Sequence, residues 1–252
     1  MKAKRIISIA TAAIVTVGLV GCGNSKSTGS SSATQAASDQ SQTTGTASGG
    51  SIANKDKPIA WFNKQPSNST TGELDMQALH FNDKTYYVGF DANQGAELQG
   101  EMALSYIKKH AKDIDRNGDG IIGYVLAIGD IGHNDSLART RGVRKAFGTG
   151  IEKDGLINPD PIGTNTDGSS RIVKDGSVEV GGKTYVIREL ASQEMKNSAG
   201  ATWDAATAGN AIITWSASFG DSIDMVASNN DGMGMSMFNA WSKEKGVPTF
   251  GY

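Results

Sequence analysis

YVLAIGDIGHNDSLARTRGVRKAFG, residues 124–148, is the stretch on which the fold turns. Its first five residues are all apolar, so 124–128 predicts a strand buried on both faces. A polar, glycine-containing loop follows. A helix is then expected from about 135 to 147, with Gly148 as its stop. The same rhythm continues toward the end of the chain. Residues 178–180, the pair Gly181 and Gly182, and 183–187 predict a hairpin, because paired glycines accept the positive φ of a two-residue turn. Ala205, Ala208, Ile212, Trp215 and Phe219 recur at 3, 4, 3, 4 spacing, one continuous apolar helix face. A strand over 223–227, a helix striped by Met233, Met237, Ala240 and Trp241, and a last strand over 247–252 complete the pattern. Met233, Met235 and Met237 are read as core packing. Strands alternating with helices imply an α/β fold, a parallel sheet covered on both faces. Toward the front the pattern thins to strands at 59–62 and 85–90 and a helix at about 92–111, with Leu98, Met102 and Tyr106 on one face. Two strands and one helix are marginal as an independent unit.

Just ahead of the deciding stretch lies DRNGDGI, 115–121. Asp115, Asn117 and Asp119 put oxygen side chains at alternate positions. Gly120 supplies the sharp turn and Ile121 a backbone carbonyl, which is how a calcium loop gathers hard ligands. An EF-hand would close with a bidentate Glu at position 12, which here is Leu126, inside a strand. Position 9 is Gly123, without a side chain, so another carboxylate must come from elsewhere. If the strands 124–128 and 223–227 are parallel neighbours, Asp224 starts beside the loop and is the expected closing ligand. The cation's role would be stabilising. The plain alternative is a solvated turn before a strand.

The opposite ends of the strands carry a different chemistry. Ligands of open α/β sheets sit beyond the strand carboxyl ends. Asn63 follows strand 59–62; His133, Asp135 and Arg139 follow strand 124–128; Trp203 precedes a helix; Asn229 and Asn230 follow strand 223–227. Amides, a carboxylate, a guanidinium, an imidazole and an indole suit a sugar, whose hydroxyls want donors and acceptors and whose C–H face wants an aromatic plate. Each has a bland alternative: Asp135 as a helix cap or an i,i+4 partner of Arg139, Trp203 as core, the asparagines as turn formers.

The N-terminus reads as an address. Lys2, Lys4 and Arg5 precede an apolar run over 6–20, too short to span a bilayer and typical of a signal peptide over 1–21. Leu19, Val20, Gly21 and Cys22 look like the lipobox of bacterial lipoproteins, which implies a lipid on Cys22 and attachment to a membrane outside the cytoplasm. Residues 22–54, rich in Ser, Thr, Gly and Ala, are expected to be a flexible tether. A net charge of −2 without a basic stripe argues against nucleic acid. A lone cysteine excludes a disulfide framework within the chain.

WFNKQP (61–66), TYYVGFD (85–91), DRNGDGII (115–122), GHNDSLARTR (132–141), ATWDAA (201–206) and SNNDGMGM (228–235) occur in the order seen in the galactose/glucose-binding proteins. These are type I substrate-binding proteins of ABC sugar importers, and the resemblance covers about 57–252. It implies periplasmic-binding-protein-like Rossmann lobes with parallel sheets: a partial N-terminal lobe over 55–112 and a largely complete C-terminal lobe over 113–252. It implies sugar contacts from Asn63, His133, Asp135, Arg139 and Asn230, with Trp203 stacking on the ring. Implied calcium ligands are Asp115, Asn117, Asp119, the Ile121 carbonyl and Asp224. The family usually has a side-chain oxygen where Gly123 stands and Glu where Asp224 stands. It also has further βα units before the strand at 59–62 and continues past Tyr252, so the sequence resembles a truncated or rearranged member. The expected function is lipid-anchored binding of D-galactose or D-glucose, as a monomer, for an ABC permease. The alternative is a calcium-stabilised surface lipoprotein that no longer binds sugar. A hydrolase would need two flanking carboxylates, and only Asp135 is well placed.

Overall fold

A computed structural model describes residues 56–62, 65–68, 74–164 and 172–252. The expected signal peptide and tether, Cys22 and Asn63 lie outside the described residues. The deciding stretch forms strand β3 (Ile121–Ile128), longer than expected by three residues, and helix α3 (Asn134–Phe147). Gly148 ends α3 in the left-handed conformation, with φ 70°. Ahead of them lie β1 (Ile59–Phe62), α1 (Met76–Leu79), β2 (Thr85–Val88) and α2 (Ala92–Ile114). Behind them come β4 (Glu152–Lys153), β5 (Leu156–Ile157), β6 (Gly163–Thr164), β7 (Gly176–Val180), β8 (Lys183–Glu194) and α4 (Ala205–Phe219). The chain then forms β9 (Met225–Ser228), α5 (Asp231–Met237), a π-turn over Phe238–Ser242, α6 (Lys243–Lys245) and β10 (Thr249–Phe250). Gly181 and Gly182 do make the β7–β8 turn, both with positive φ. β8 runs on to Glu194, seven residues past its expected end, because its second half pairs with β3 on one edge and β6 on the other.

The six-stranded sheet runs β10-β9-β3-β8-β6, with β7 also on the outer edge of β8. β10, β9, β3 and β8 are parallel. In chain order these four stand 2-1-3-4 across the sheet, so the connections diverge between β3 and β9, where such sheets open a crevice. The expected pairing of these two strands is present, with Tyr124 opposite Met225. Successive residues of β3 point to opposite faces. Ile122, Tyr124, Leu126 and Ile128 join α2 and α3, whereas Val125 and Ala127 join α4 and α5. The fold is thus a doubly covered, mostly parallel α/β sheet.

Helix α2 departs from the expected pattern. Leu98 and Met102 are 54% and 66% exposed, whereas Ala92, Ala96, Gly100, Ala103, Ile107, Ala111 and Ile114 are buried. Small residues win because α2 lies almost backbone to backbone on α3. A Cβ on Gly142 would stand 2.6 Å from the Ala96 carbonyl. Only Tyr106 of the expected face packs inward, edge-on to Phe250 at 5.5 Å. Met233 and Met237 are core as expected, but Met235 is 55% exposed. It lies two residues from each of the buried methionines, and so on the opposite side of the helix. β1 and β2 form a separate parallel pair whose Phe62, Tyr86 and Val88 are exposed. No helix among the described residues is long and apolar enough to cross a membrane.

One buried network was not foreseen. Arg144 and Glu189 are both fully buried, and paired through Nε–Oε2 at 2.9 Å and Nη2–Oε1 at 2.7 Å. The Tyr124 hydroxyl donates to Glu189 at 2.7 Å, and Arg144 Nη1 donates to the Asn158 carbonyl at 2.6 Å. Burial alone would lower the Arg144 pKa, but the Glu189 carboxylate outweighs it and the guanidinium stays charged. Burial also pushes the Tyr124 phenol well up. A charged pair is tolerated there because its donors and acceptors find partners.

Candidate functional site

The crevice between β3 and β9 is fastened by Asn229, a fully buried residue just past β9. Its main-chain N–H donates to the Ala127 carbonyl at 2.9 Å. Its Oδ1 accepts the Gly129 N–H at 3.1 Å and the Ser136 hydroxyl at 2.7 Å. Its carbonyl accepts Arg139 Nη1 at 2.6 Å. Three segments meet at one residue: the end of β3, the first turns of α3 and the turn that leads into α5.

The sequence-expected residues are arranged around it. His133 is the N-cap of α3, and its Nδ1 accepts the Asp135 N–H at 3.2 Å. An accepting Nδ1 puts the ring proton on Nε2. The cap is thus His133, and Asp135 is left with its carboxylate beside Arg139, Oδ2 to Nη2 at 3.7 Å. Arg139 is nine-tenths buried and carries the Tyr252 ring at 3.7 Å, with Trp203 at 5.7 Å and Phe90 at 5.8 Å. Burial lowers its pKa, and the Asp135 charge works against that shift. Trp203 stands edge-to-face with His133 at 5.5 Å and 84°. Asp204, next in sequence, caps α4 through the Thr207 N–H at 2.7 Å and so locates Trp203. Asn230 caps α5, its Oδ1 accepting the Met233 N–H at 2.8 Å. The structure therefore brings His133, Asp135, Arg139 and Trp203 into direct contact, with Asn230 one residue from the Arg139 contact on Asn229.

Residues 81–252 match the family described as periplasmic binding protein domain. The chain belongs to that family. Its α/β fold with a mostly parallel sheet is the one the family resemblance implied. Across 200 aligned residues it is 26% identical to the D-galactose/methyl-galactoside binding periplasmic protein MglB of Haemophilus influenzae. That alignment takes in 77% of this chain and 45% of the relative, so the chain spans less than half the relative's length. Among solved structures it is similar to a twin-arginine translocation pathway signal protein from Burkholderia phytofirmans, with 15% identity and a TM-score of 0.44. That match covers 75% of this chain and 41% of the other. It is also similar to a galactofuranose binding protein, with 13% identity and a TM-score of 0.42, over 75% of this chain and 44% of that one.

At the other end of the sheet, the 115–121 loop and Asp224 are neighbours. Asp224 is fully buried; its Oδ1 accepts the Arg116 N–H at 3.0 Å and its Oδ2 the Gly123 N–H at 2.8 Å. Burial, with the Asp115 and Asp119 charges adding to it, pushes its pKa up to about 7 against those two hydrogen bonds. Asn117 Oδ1 accepts the Asp119 N–H at 3.1 Å, and Asp119 Oδ1 accepts the Ile121 N–H at 2.8 Å. Gly118 and Gly120 take positive φ, as the tight loop requires. Asp115 Oδ2 accepts the Gly120 N–H at 3.1 Å and faces the Lys183 ammonium at 3.7 Å. Its Oδ1 is buried without a hydrogen-bond partner among the described residues. Among those residues no three His, Cys, Asp or Glu side chains form a ready metal cluster. The donor set itself, all oxygen and rich in carboxylate with one orphaned acceptor, fits a hard cation.

Sequence reasoning did not single out Gly129, Ser136 or Tyr252 and took Asn229 only as one of a pair. The positions of Gly129 and Ser136 within the GDIGHNDS segment mark them as loop and helix start. Nothing local in the sequence shows that both converge on Asn229.

Proposed function

We propose that the crevice between β3 and β9 is a hexopyranose site, with D-galactose or D-glucose as the ligand, and that the protein binds sugar without transforming it. The observation that carries this reading is the joint placement of His133, Asp135, Arg139 and Trp203 around one opening. Asp135 would accept sugar hydroxyls, while His133 Nε2–H and Arg139 would donate to them. Asn230, whose Oδ1 is engaged in the helix cap, would offer its amide nitrogen. Trp203 would cover the apolar C–H face. Asn63, outside the described residues, would add a contact from the front of the chain. The galactose-binding relative, at 26% identity, supports the substrate class. Family membership supports a location outside the cytoplasm, and a lipid on Cys22 would keep the protein at the membrane, delivering sugar to an ABC permease. Asp115, Asn117, Asp119, the Ile121 carbonyl and Asp224 would hold calcium, which would offset the repulsion among these acids and firm the loop.

Titration calorimetry with D-galactose and D-glucose tests the reading. One saturable site is expected, weakened about tenfold or more when Asp135 is changed to Ala. Absence of heat at millimolar sugar would instead favour a calcium-stabilised lipoprotein without a sugar site.

A further inference from the structure

Gly129 is where β3 ends and the opening begins, and three of its features serve the residues around it. Its N–H donates to Asn229 Oδ1 at 3.1 Å, and its carbonyl accepts the main-chain N–H of Trp203 at 3.2 Å. Where its side chain would be, the six-membered ring of Trp203 lies instead: an added Cβ would stand 2.5 Å from Cδ2. Carbon atoms in ordinary contact are about 3.5–4.0 Å apart, so no side chain fits. Trp203 itself holds a φ of 59°, a left-handed conformation that bulky residues rarely adopt. The indole is therefore located by main-chain contacts, lies flat on glycine, and meets the His133 ring at 84°.

We infer that Gly129 is a specificity-determining residue: by seating Trp203 flat and in one place, it makes the site select ring-form sugars over open-chain polyols. This rests on the hexopyranose reading above. A pyranose presents a rigid face of C–H bonds that a fixed plate can cover. An alditol with the same hydroxyls has no fixed face and must lose rotor freedom to imitate one. A wandering plate would serve both ligands about equally. Gly129 touches the ligand only through Trp203, so it is a positioning residue.

The test compares D-galactose with galactitol by calorimetry in wild type, Gly129→Ala, Trp203→Ala and the double variant. The backbone of Gly129 lies outside the left-handed region, so alanine is objectionable only to the Trp203 ring and the fold should survive. Gly129→Ala is expected to weaken galactose about tenfold while leaving galactitol nearly unchanged. In the Trp203→Ala background the same change should add nothing. Equal weakening of both ligands, or a full effect of Gly129→Ala without Trp203, would overturn the inference. If wild type ignores galactose, the hexopyranose reading fails instead. The seat itself is then still checked by NMR. The Trp203 indole signal, assigned by its loss in Trp203→Ala, should move in Gly129→Ala while that of Trp215 stays. An unmoved Trp203 signal would overturn the seat.

Discussion

Replacing Gly142 by alanine tests the unexpected packing of α2 on α3. In the middle of a helix this change ordinarily stabilises, because glycine is about 1 kcal/mol worse than alanine there. Here the new Cβ would meet the Ala96 carbonyl carbon and oxygen at 2.6 Å and the Ala96 Cβ at 2.7 Å. The first two are backbone atoms of the neighbouring helix, and none is the tip of a mobile side chain. Relief requires the helices to part by about 1 Å, and overpacking against backbone falls in the upper part of the usual range, about 2–3 kcal/mol. The clash exceeds the propensity gain, so a net loss of about 1–2 kcal/mol is expected. That is a drop of roughly 3–6 °C for a domain of this size. Gly100→Ala should behave alike, since its Cβ would meet the Gly142 carbonyl oxygen at 2.7 Å. Urea unfolding followed by far-ultraviolet circular dichroism reads the change. A variant as stable as wild type, or stabilised by the full propensity gain, would show that the two helices do not lie this close.

Three further outcomes follow from the same structure. Glu189→Leu should cost about 3–5 kcal/mol by stranding the buried Arg144 charge, and adding Arg144→Met should restore most of it; a simple sum of two losses in urea unfolding would refute the pairing. In chelator, burial raises the folded pKa of Asp224 to about 7, well above the ordinary carboxylate range, so the folded state binds the extra proton. Its contribution is then complete below pH 4 and disappears as pH rises toward 7. Melts from pH 4.5 to 7.5 should show this decline, and Asp224→Asn should flatten it; an unchanged slope would contradict the assignment. With calcium present, Asp119→Asn should shrink the difference between melting temperatures with and without EDTA, and a wild-type melt that ignores EDTA would remove the metal from the account.

Much of the architecture was legible because it is local. The apolar run of β3, the Gly148 stop, the Gly181 and Gly182 turn and the spacing of α4 each follow from neighbouring residues. Parallel pairing of β3 with β9 also followed, and it set Asp224 beside Asp115. What escaped was tertiary. Leu98 and Met102 look like part of the inward face of α2 by size, whereas a close helix crossing favours alanine and glycine. The sequence pattern of β8 stops short of its true end because Arg188 and Glu189 interrupt its apolar run, and Glu189 is buried only because Arg144 meets it from another element. The same holds at the crevice. His133, Asp135, Arg139 and Trp203 stood out by chemistry and by position after strands. Gly129 and Asn229 act through what reaches them from elsewhere, which a linear pattern does not display.

A crystal structure of the protein grown with saturating D-galactose is the most direct test. The account requires one pyranose beyond the carboxyl ends of β3 and β9, its C–H face on Trp203 and its hydroxyls within hydrogen-bond reach of Asp135, Arg139 and His133 Nε2. A hexose bound elsewhere, or these side chains unvisited at full saturation, would contradict it.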